Sequence, residues 1–303
     1  MADGSGGSRL FTGSGVALVT PFGGDGGVNE GVMRELVRFH LREGTDALIV
    51  NGSTGEATTL SPDEQLQAAR TVVDEAAGRL PVIVGCGGSD TAAVSRLAAN
   101  ARAAGADAIL VSGPPYNKPP QRGIIAHYRR VMDAADLPCI VYNVPGRTAS
   151  NITPETVEAL AEDPRVVGVK EASGDIVQVA ELCRRLADRV AIYSGNDDQV
   201  VPLMSLGGVG VISVLANVAP AHTARMAKSY LSGDVDEARR LQLALLPLVG
   251  ALFREPNPMP VKAAVRLLGF DAGPLRLPLV DPTDAVMAEL REAMTALGLL
   301  KNS

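Results

Sequence analysis

Histidine and cysteine are scarce in this chain, three of each in 303 residues. Cys86, Cys139 and Cys183 are well separated, odd in number and set among apolar neighbours. That pattern excludes a disulfide framework and the paired spacing of a zinc site, and it points to a reducing, cytoplasmic compartment. His40, His127 and His222 stand singly, each in or near a predicted helix, with no HExxH or other ligand cluster. Each reads as a surface or interfacial side chain, so neither a metal site nor a histidine dyad is expected. Basic charge is also short: 28 Lys and Arg face 34 Asp and Glu, the net charge is −6, and no long basic run occurs. A nucleic-acid partner is therefore not expected. No apolar run is long enough to span a bilayer, so no membrane partner is expected either. Met1–Ser8 (MADGSGGS) lacks the apolar centre of a signal peptide, and residues 1–10 read as a flexible tail.

What remains is an ordinary globular composition, 46% hydrophobic, on a chain long enough for one large α/β barrel or two domains. Short apolar runs alternate with helical patterns. Strands are predicted at 14–20, 46–50, 81–85, 108–111, 138–142, 166–169, 191–194 and 210–213. Helices fall between them, among them Asn29–Leu41, with Asn29 as cap, and one opened by Ser61-Pro62-Asp63-Glu64. Eight strand–helix units predict an α/β (β/α)8 TIM barrel over residues 11–218. Only helices follow, at about 220–231, 235–254, 260–268 and 281–297, which predicts a C-terminal helical extension over residues 219–303. A two-domain doubly wound sheet is the alternative.

The sixth strand ends in Lys170. A fully buried strand reads as a continuous apolar run, and a lysine at its end stands where packed interior gives way to a cavity. Burial disfavours the ammonium, and lowering its pKa by about three units, roughly 4 kcal/mol, leaves free amine near neutral pH. A lysine that merely extends its head into solvent has the same local sequence. The other polar residues at predicted strand ends bear on the choice: Ser53, Thr54 and Glu56 after strand two, Tyr116 after strand four, Tyr142 and Arg147 after strand five. Singly each has an ordinary structural explanation, but in a barrel all of them gather at the carboxyl-end rim. Together they make a coherent set. A lysine forms an imine with a 2-oxo acid, hydroxyls of tyrosine and serine move the protons, the NH groups of Gly-Ser-Thr-Gly hold a carboxylate, and an arginine clamps a second one. Two other glycine clusters carry little. Gly85-Cys-Gly-Gly88 does not fit GxGxxG, and Gly207-Gly-Val-Gly210 precedes its strand, as a tight turn does.

From about Phe11 to Leu300 the sequence resembles the pyruvate-dependent Schiff-base aldolases, and among them the dihydrodipicolinate synthase family. The resemblance rests on Gly52-Ser-Thr-Gly-Glu56, Tyr142-Asn-Val-Pro-Gly-Arg147, Gly168-Val-Lys-Glu-Ala172, Ser194-Gly195, Gly210-Val-Ile-Ser213 and Pro256-Asn-Pro-Met-Pro-Val-Lys262. It implies a homotetramer, a dimer of dimers, that condenses pyruvate with L-aspartate 4-semialdehyde on the way to diaminopimelate and lysine. No cofactor is implied beyond the lysine–pyruvate imine. It further implies Lys170 as the imine residue, Tyr142 as the main proton donor and acceptor, and Ser53 and Tyr116 as a relay, with Tyr116 reaching into a neighbouring subunit's site. Thr54 would bind the pyruvate carboxylate, Arg147 the carboxylate of the aldehyde, and Gly195 and Ile212 would supply backbone groups near the lysine.

The chain departs from the family pattern in two places. Ser53 stands where threonine is usual, keeping the hydroxyl and losing the methyl that fixes its rotamer. The positions that bind lysine in feedback-inhibited members align with Pro62, Gln65, Ser89, Ala93 and Pro115, none of which offers a carboxylate or phenol. Insensitivity to L-lysine is the expectation. Cleavage of N-acetylneuraminate or of a 2-keto-3-deoxy sugar acid is the alternative activity, since Gly-Ser-Thr-Gly-Glu occurs there too; Arg147 favours the synthase. A non-catalytic barrel that only binds small molecules is a more distant alternative.

Overall fold

Apolar runs bounded by turn formers become the strands β1 (Gly13–Ala17), β2 (Ala47–Val50), β3 (Val82–Cys86), β4 (Ala108–Ser112), β5 (Cys139–Asn143), β6 (Val166–Glu171), β7 (Ala191–Ser194) and β8 (Gly210–Ser213). The computed structural model describes residues 9–300; apart from Arg9 and Leu10, the tail assigned to residues 1–10 lies outside them. The strands pair in parallel in chain order and β8 returns to β1, so the sheet closes into a barrel. Closure sets aside the doubly wound alternative. It also explains a glycine: Gly210 lies opposite Gly13 at φ +156°, and a Cβ there would stand 2.0 Å from the Gly13 carbonyl oxygen.

Alternation along each strand divides its apolar residues between two layers. Ile49, Ile83, Ile140, Tyr193 and Ile212 fill the barrel interior, while Leu48, Val84, Val111, Val141 and Ile192 pack outward against helices. Burial on both faces is why these strands read as continuous apolar runs. At the amino-terminal end of the barrel, Phe11 stacks on Tyr193 with ring centroids 4.4 Å apart, and the Tyr193 hydroxyl donates to the Phe11 carbonyl at 2.7 Å.

The barrel helices are α1 (Glu30–Glu43), α2 (Pro62–Ala76), α3 (Thr91–Ala103), α4 (Gln121–Ala135), α5 (Pro145–Thr148), α6 (Pro154–Leu160), α7 (Ile176–Leu186), α8 (Val200–Ser205) and α9 (Pro220–Leu231). Their starts follow the capping residues. Asn29 accepts from the Val32 N–H, and Ser61 and Glu64 form a reciprocal capping box. The helix α9, which a division at 218/219 groups with the extension, packs on β1 and α1 as the helix of the eighth strand. Beyond it α10 (Val235–Leu252), α11 (Met259–Leu267) and α12 (Asp284–Ala296) share a second apolar cluster with α8 and α9.

Three features differ from the sequence reading. The first strand stops at Ala17 rather than Thr20, because the Asn217 side chain takes over its backbone: Nδ2 donates to the Ala17 carbonyl and Oδ1 accepts from the Val19 N–H. The last helix starts at Asp284 rather than Asp281, since Pro282 disfavours helical backbone at the residue before it. Histidines 40 and 127 are buried, not at the surface. Each places Nδ1 3.0 Å from a threonine hydroxyl, of Thr45 and Thr91, and burial pulls His40 down to about 3.

Candidate active site

Strand ends at the carboxyl side of the barrel, together with the connection between α10 and α11, enclose a cavity of about 440 Å³. Its wall includes Ser53, Thr54, Tyr142, Arg147, Lys170 and Gly195, which are six of the eight residues expected from sequence. Lys170 points inward near the end of β6. The next residue, Glu171, faces the other way and anchors the strand end, accepting from Asn143 Nδ2, the Ser173 N–H and Gln178 Nε2.

Lys170 is 5% exposed, with its Nζ 4.4 Å from the centre of the Tyr142 ring on the neighbouring strand. Burial draws its pKa down to about 8; the Asp197 carboxylate pulls upward and the Arg147 guanidinium adds to the depression. A solvent-extended lysine would keep its ordinary value near 10.4, so the alternative left open by the sequence is set aside. Burial also pushes the Tyr142 phenol up to about 12, keeping it protonated and able to donate. Gly195 is required by the lysine stem: a Cβ there would stand 3.1 Å from Lys170 Cε and 2.6 Å from the Ala172 Cβ.

The loop after β2 bends through a 3₁₀ turn at Ser53–Gly55 and leaves through Glu56 in the left-handed region at φ 53°. This turns Ser53 toward the open cavity and buries Thr54. Thr54 Oγ1 accepts from Asn257 Nδ2 at 3.0 Å, and Arg147 donates to the Asn257 carbonyl at 2.9 Å. One residue of the α10–α11 connection thus holds two cavity residues. Behind it Glu56 and Lys262 form an ion pair at 2.7 Å with both side chains fully buried. Glu56 also accepts from the Arg276 N–H, and Lys262 Nζ lies 3.9 Å from the Phe22 ring centre.

Two expected residues lie off the cavity wall. Ile212 is packed in the barrel interior. Tyr116 is 89% exposed with φ at 69°, turned to solvent on the loop after β4. Two residues that bear on the site were not singled out from sequence. Asn257 falls within a segment marked by the family resemblance, but its contact with Thr54 spans 203 positions. Asp197, 2% exposed, carries no local signal. Among the described residues, no group of three or more His, Cys, Asp or Glu side chains could hold a metal ion.

A barrel rim carrying a buried amine, a phenol, hydroxyls and an arginine can form an imine with a 2-oxo acid and move the protons involved. Comparison with known proteins bears on the family. The model of the dihydrodipicolinate synthetase family matches residues 10–297. A 4-hydroxy-tetrahydrodipicolinate synthase of Thermoanaerobacter sp. (strain X514) is 52% identical over 295 residues, covering 97% of this chain and 99% of its own. The crystal structure of dihydrodipicolinate synthase from Aquifex aeolicus superposes with a TM-score of 0.93 at 40% identity, covering 96% of this chain and all of the other. A lysine-bound structure from Cyanidioschyzon merolae gives 0.93 at 43%, covering 97% and 100%.

Proposed function

Because this chain belongs to the dihydrodipicolinate synthetase family, we propose that it condenses pyruvate with L-aspartate 4-semialdehyde through an imine on Lys170. The observation that carries the reading is a lysine buried at the barrel mouth, drawn down to about 8 and set against Tyr142. Its free amine adds to the pyruvate ketone, and water leaves to give a protonated imine. That cation draws electrons from the adjacent methyl, which loses a proton to become an enamine. The enamine carbon attacks the aldehyde. The amino group of the second substrate then displaces Lys170 and closes the ring, so no metal or organic cofactor enters.

Tyr142 and Ser53 line the cavity and serve as proton carriers. The turn at Ser53–Gly55 supplies NH groups and the Thr54 hydroxyl for the pyruvate carboxylate, and Arg147, exposed at the mouth, receives the carboxylate of the aldehyde. The enzyme works as a cytoplasmic homotetramer in which Tyr116 completes the relay of a neighbouring copy; a tyrosine 89% exposed in the single chain suits that role. Among the described residues no helix is long and apolar enough to cross a membrane.

Feedback by L-lysine is absent in this reading. At the aligned positions the Gln65 amide is spent on the Ala57 and Leu60 carbonyls, and Pro62, Ser89, Ala93 and Pro115 offer no anion or phenol to an ammonium. Assays in both directions test the activity. Pyruvate with aspartate semialdehyde should turn over, whereas release of pyruvate from N-acetylneuraminate or 2-keto-3-deoxygluconate as the faster reaction would overturn the assignment. Strong inhibition by sub-millimolar L-lysine in the same assay would overturn the regulatory part.

A further inference from the structure

The segment 256–262 reaches the cavity from the helical extension, and the reaction steps above leave it without a part. It docks on the turn after β2 at two points. Lys262 meets Glu56 at 2.7 Å in the buried ion pair, and Asn257 Nδ2 donates to Thr54 Oγ1 at 3.0 Å. Asn257 and Thr54 both line the cavity, although they are only 6% and 4% exposed. Prolines on either side narrow the backbone of Asn257. Its Oδ1 has no partner, so the contact with Thr54 is what holds the side chain in place. An amide N–H only donates, so Thr54 Oγ1 is the acceptor in this pair. The Thr54 hydroxyl therefore keeps its own hydrogen, and among the described residues it has no other partner. An amide turned the other way would accept that hydrogen and leave none for a ligand. The main chain makes a separate contact: Arg147 Nη2 donates to the Asn257 carbonyl at 2.9 Å.

We propose that Asn257 is a positioning residue of the pyruvate site: its side-chain amide turns the Thr54 hydroxyl into the cavity as a donor to the pyruvate carboxylate, while its carbonyl aims Arg147 at the aldehyde. This rests on the substrates proposed above. A hydroxyl rotates to suit its surroundings, and a donor fixed on one side of the oxygen leaves its hydrogen for an anion on the other. Hydrogen bonds to a charged group are roughly twice as strong as neutral ones, so the orientation of this hydroxyl matters more than the neutral contact that sets it. The two contacts of Asn257 are also separable. The pyruvate end depends on its side chain and the aldehyde end on its main chain. A change of side chain should therefore act on one substrate and spare the other.

The test is Asn257→Ala, which removes the amide and keeps the carbonyl. KM for pyruvate should rise about tenfold, the scale of one hydrogen bond, while KM for the aldehyde stays within about twofold. Borohydride trapping over a series of pyruvate concentrations, with no second substrate present, should show a rise of about tenfold in the half-saturating concentration. The coupling itself is read from Thr54→Val, which removes the acceptor. In that background Asn257→Ala should raise KM for pyruvate no further. Full multiplication of the two effects, an equal rise for both substrates, or an unmoved KM for pyruvate overturns the inference. A residue that only fastened the extension would lower the melting temperature and give one of those results. Should Asn257→Ala fail to fold, Asn257→Asp keeps the shape and offers only acceptors. It takes up the Thr54 hydrogen and sets a negative charge beside the substrate anion, so KM for pyruvate should rise by more than about tenfold. An unchanged value overturns the inference. Trapping on the wild-type enzyme separates the two levels. Without an adduct on Lys170 the imine reading itself falls; with one, and with equal half-saturation in wild type and variant, only the role of Asn257 falls.

Discussion

At Ser53 the cavity presents a hydroxyl with no methyl beside it, and this sets an expectation about proton transfer. A serine in an open pocket samples more χ1 wells than a threonine does, but it keeps the same donor and acceptor. Ser53→Thr should hold kcat within about threefold, whereas Ser53→Ala should lower it about 100-fold, the usual scale of a lost proton carrier. Steady-state kinetics on the pair decides; equal activity in both would remove Ser53 from the relay. The principal residues were legible for a physical reason. Lys170 is a charged side chain ending an apolar strand, and Tyr142 and Arg147 end and follow another, so local sequence already places them at the rim. Asn257 was not legible, because its role arises from a contact with a chain segment distant in sequence, which no local pattern encodes.

Among elements, the turn after β2 depends on the start of α11. Glu56 leaves that turn in a left-handed conformation, and its carboxylate is pinned by Lys262 and by the Arg276 N–H. Removing one partner of a buried pair strands the other charge in a dry environment. Glu56→Gln should therefore cost about 3–5 kcal/mol in urea unfolding, well above a surface pair. A loss below about 1 kcal/mol would mean that the pair does not hold the turn. Element starts were legible where a side chain caps the helix, as at Asn29 and Ser61. They were missed where a distant residue or a proline decides the end, as Asn217 does for β1 and Pro282 for α12. His40 and His127 were misread for a related reason: burial of His40 depends on what α1 packs against, not on its neighbours in sequence.

For the molecule as a whole, the order of eight apolar runs and intervening helices was enough to indicate a closed barrel, because parallel strands need helical crossovers and eight units close. Assembly is a different matter. Tyr116 stands away from its own chain's cavity, and the relay assigned to it requires a second copy. If it acts across an interface, Tyr116→Phe and Lys170→Ala subunits, each nearly inactive alone, should regain part of the wild-type rate when mixed and reassembled. In such a hybrid one site combines an intact lysine with a neighbour's intact tyrosine. No recovery in verified mixed oligomers would return Tyr116 to a role within its own chain or to none.

Everything turns on the amine of β6. Reduction with borohydride in the presence of pyruvate, followed by peptide mass mapping, reads that amine directly. The account expects one reduced pyruvate adduct per chain, on Lys170, absent without pyruvate. Labelling of a different lysine, or of none while turnover continues, would contradict it.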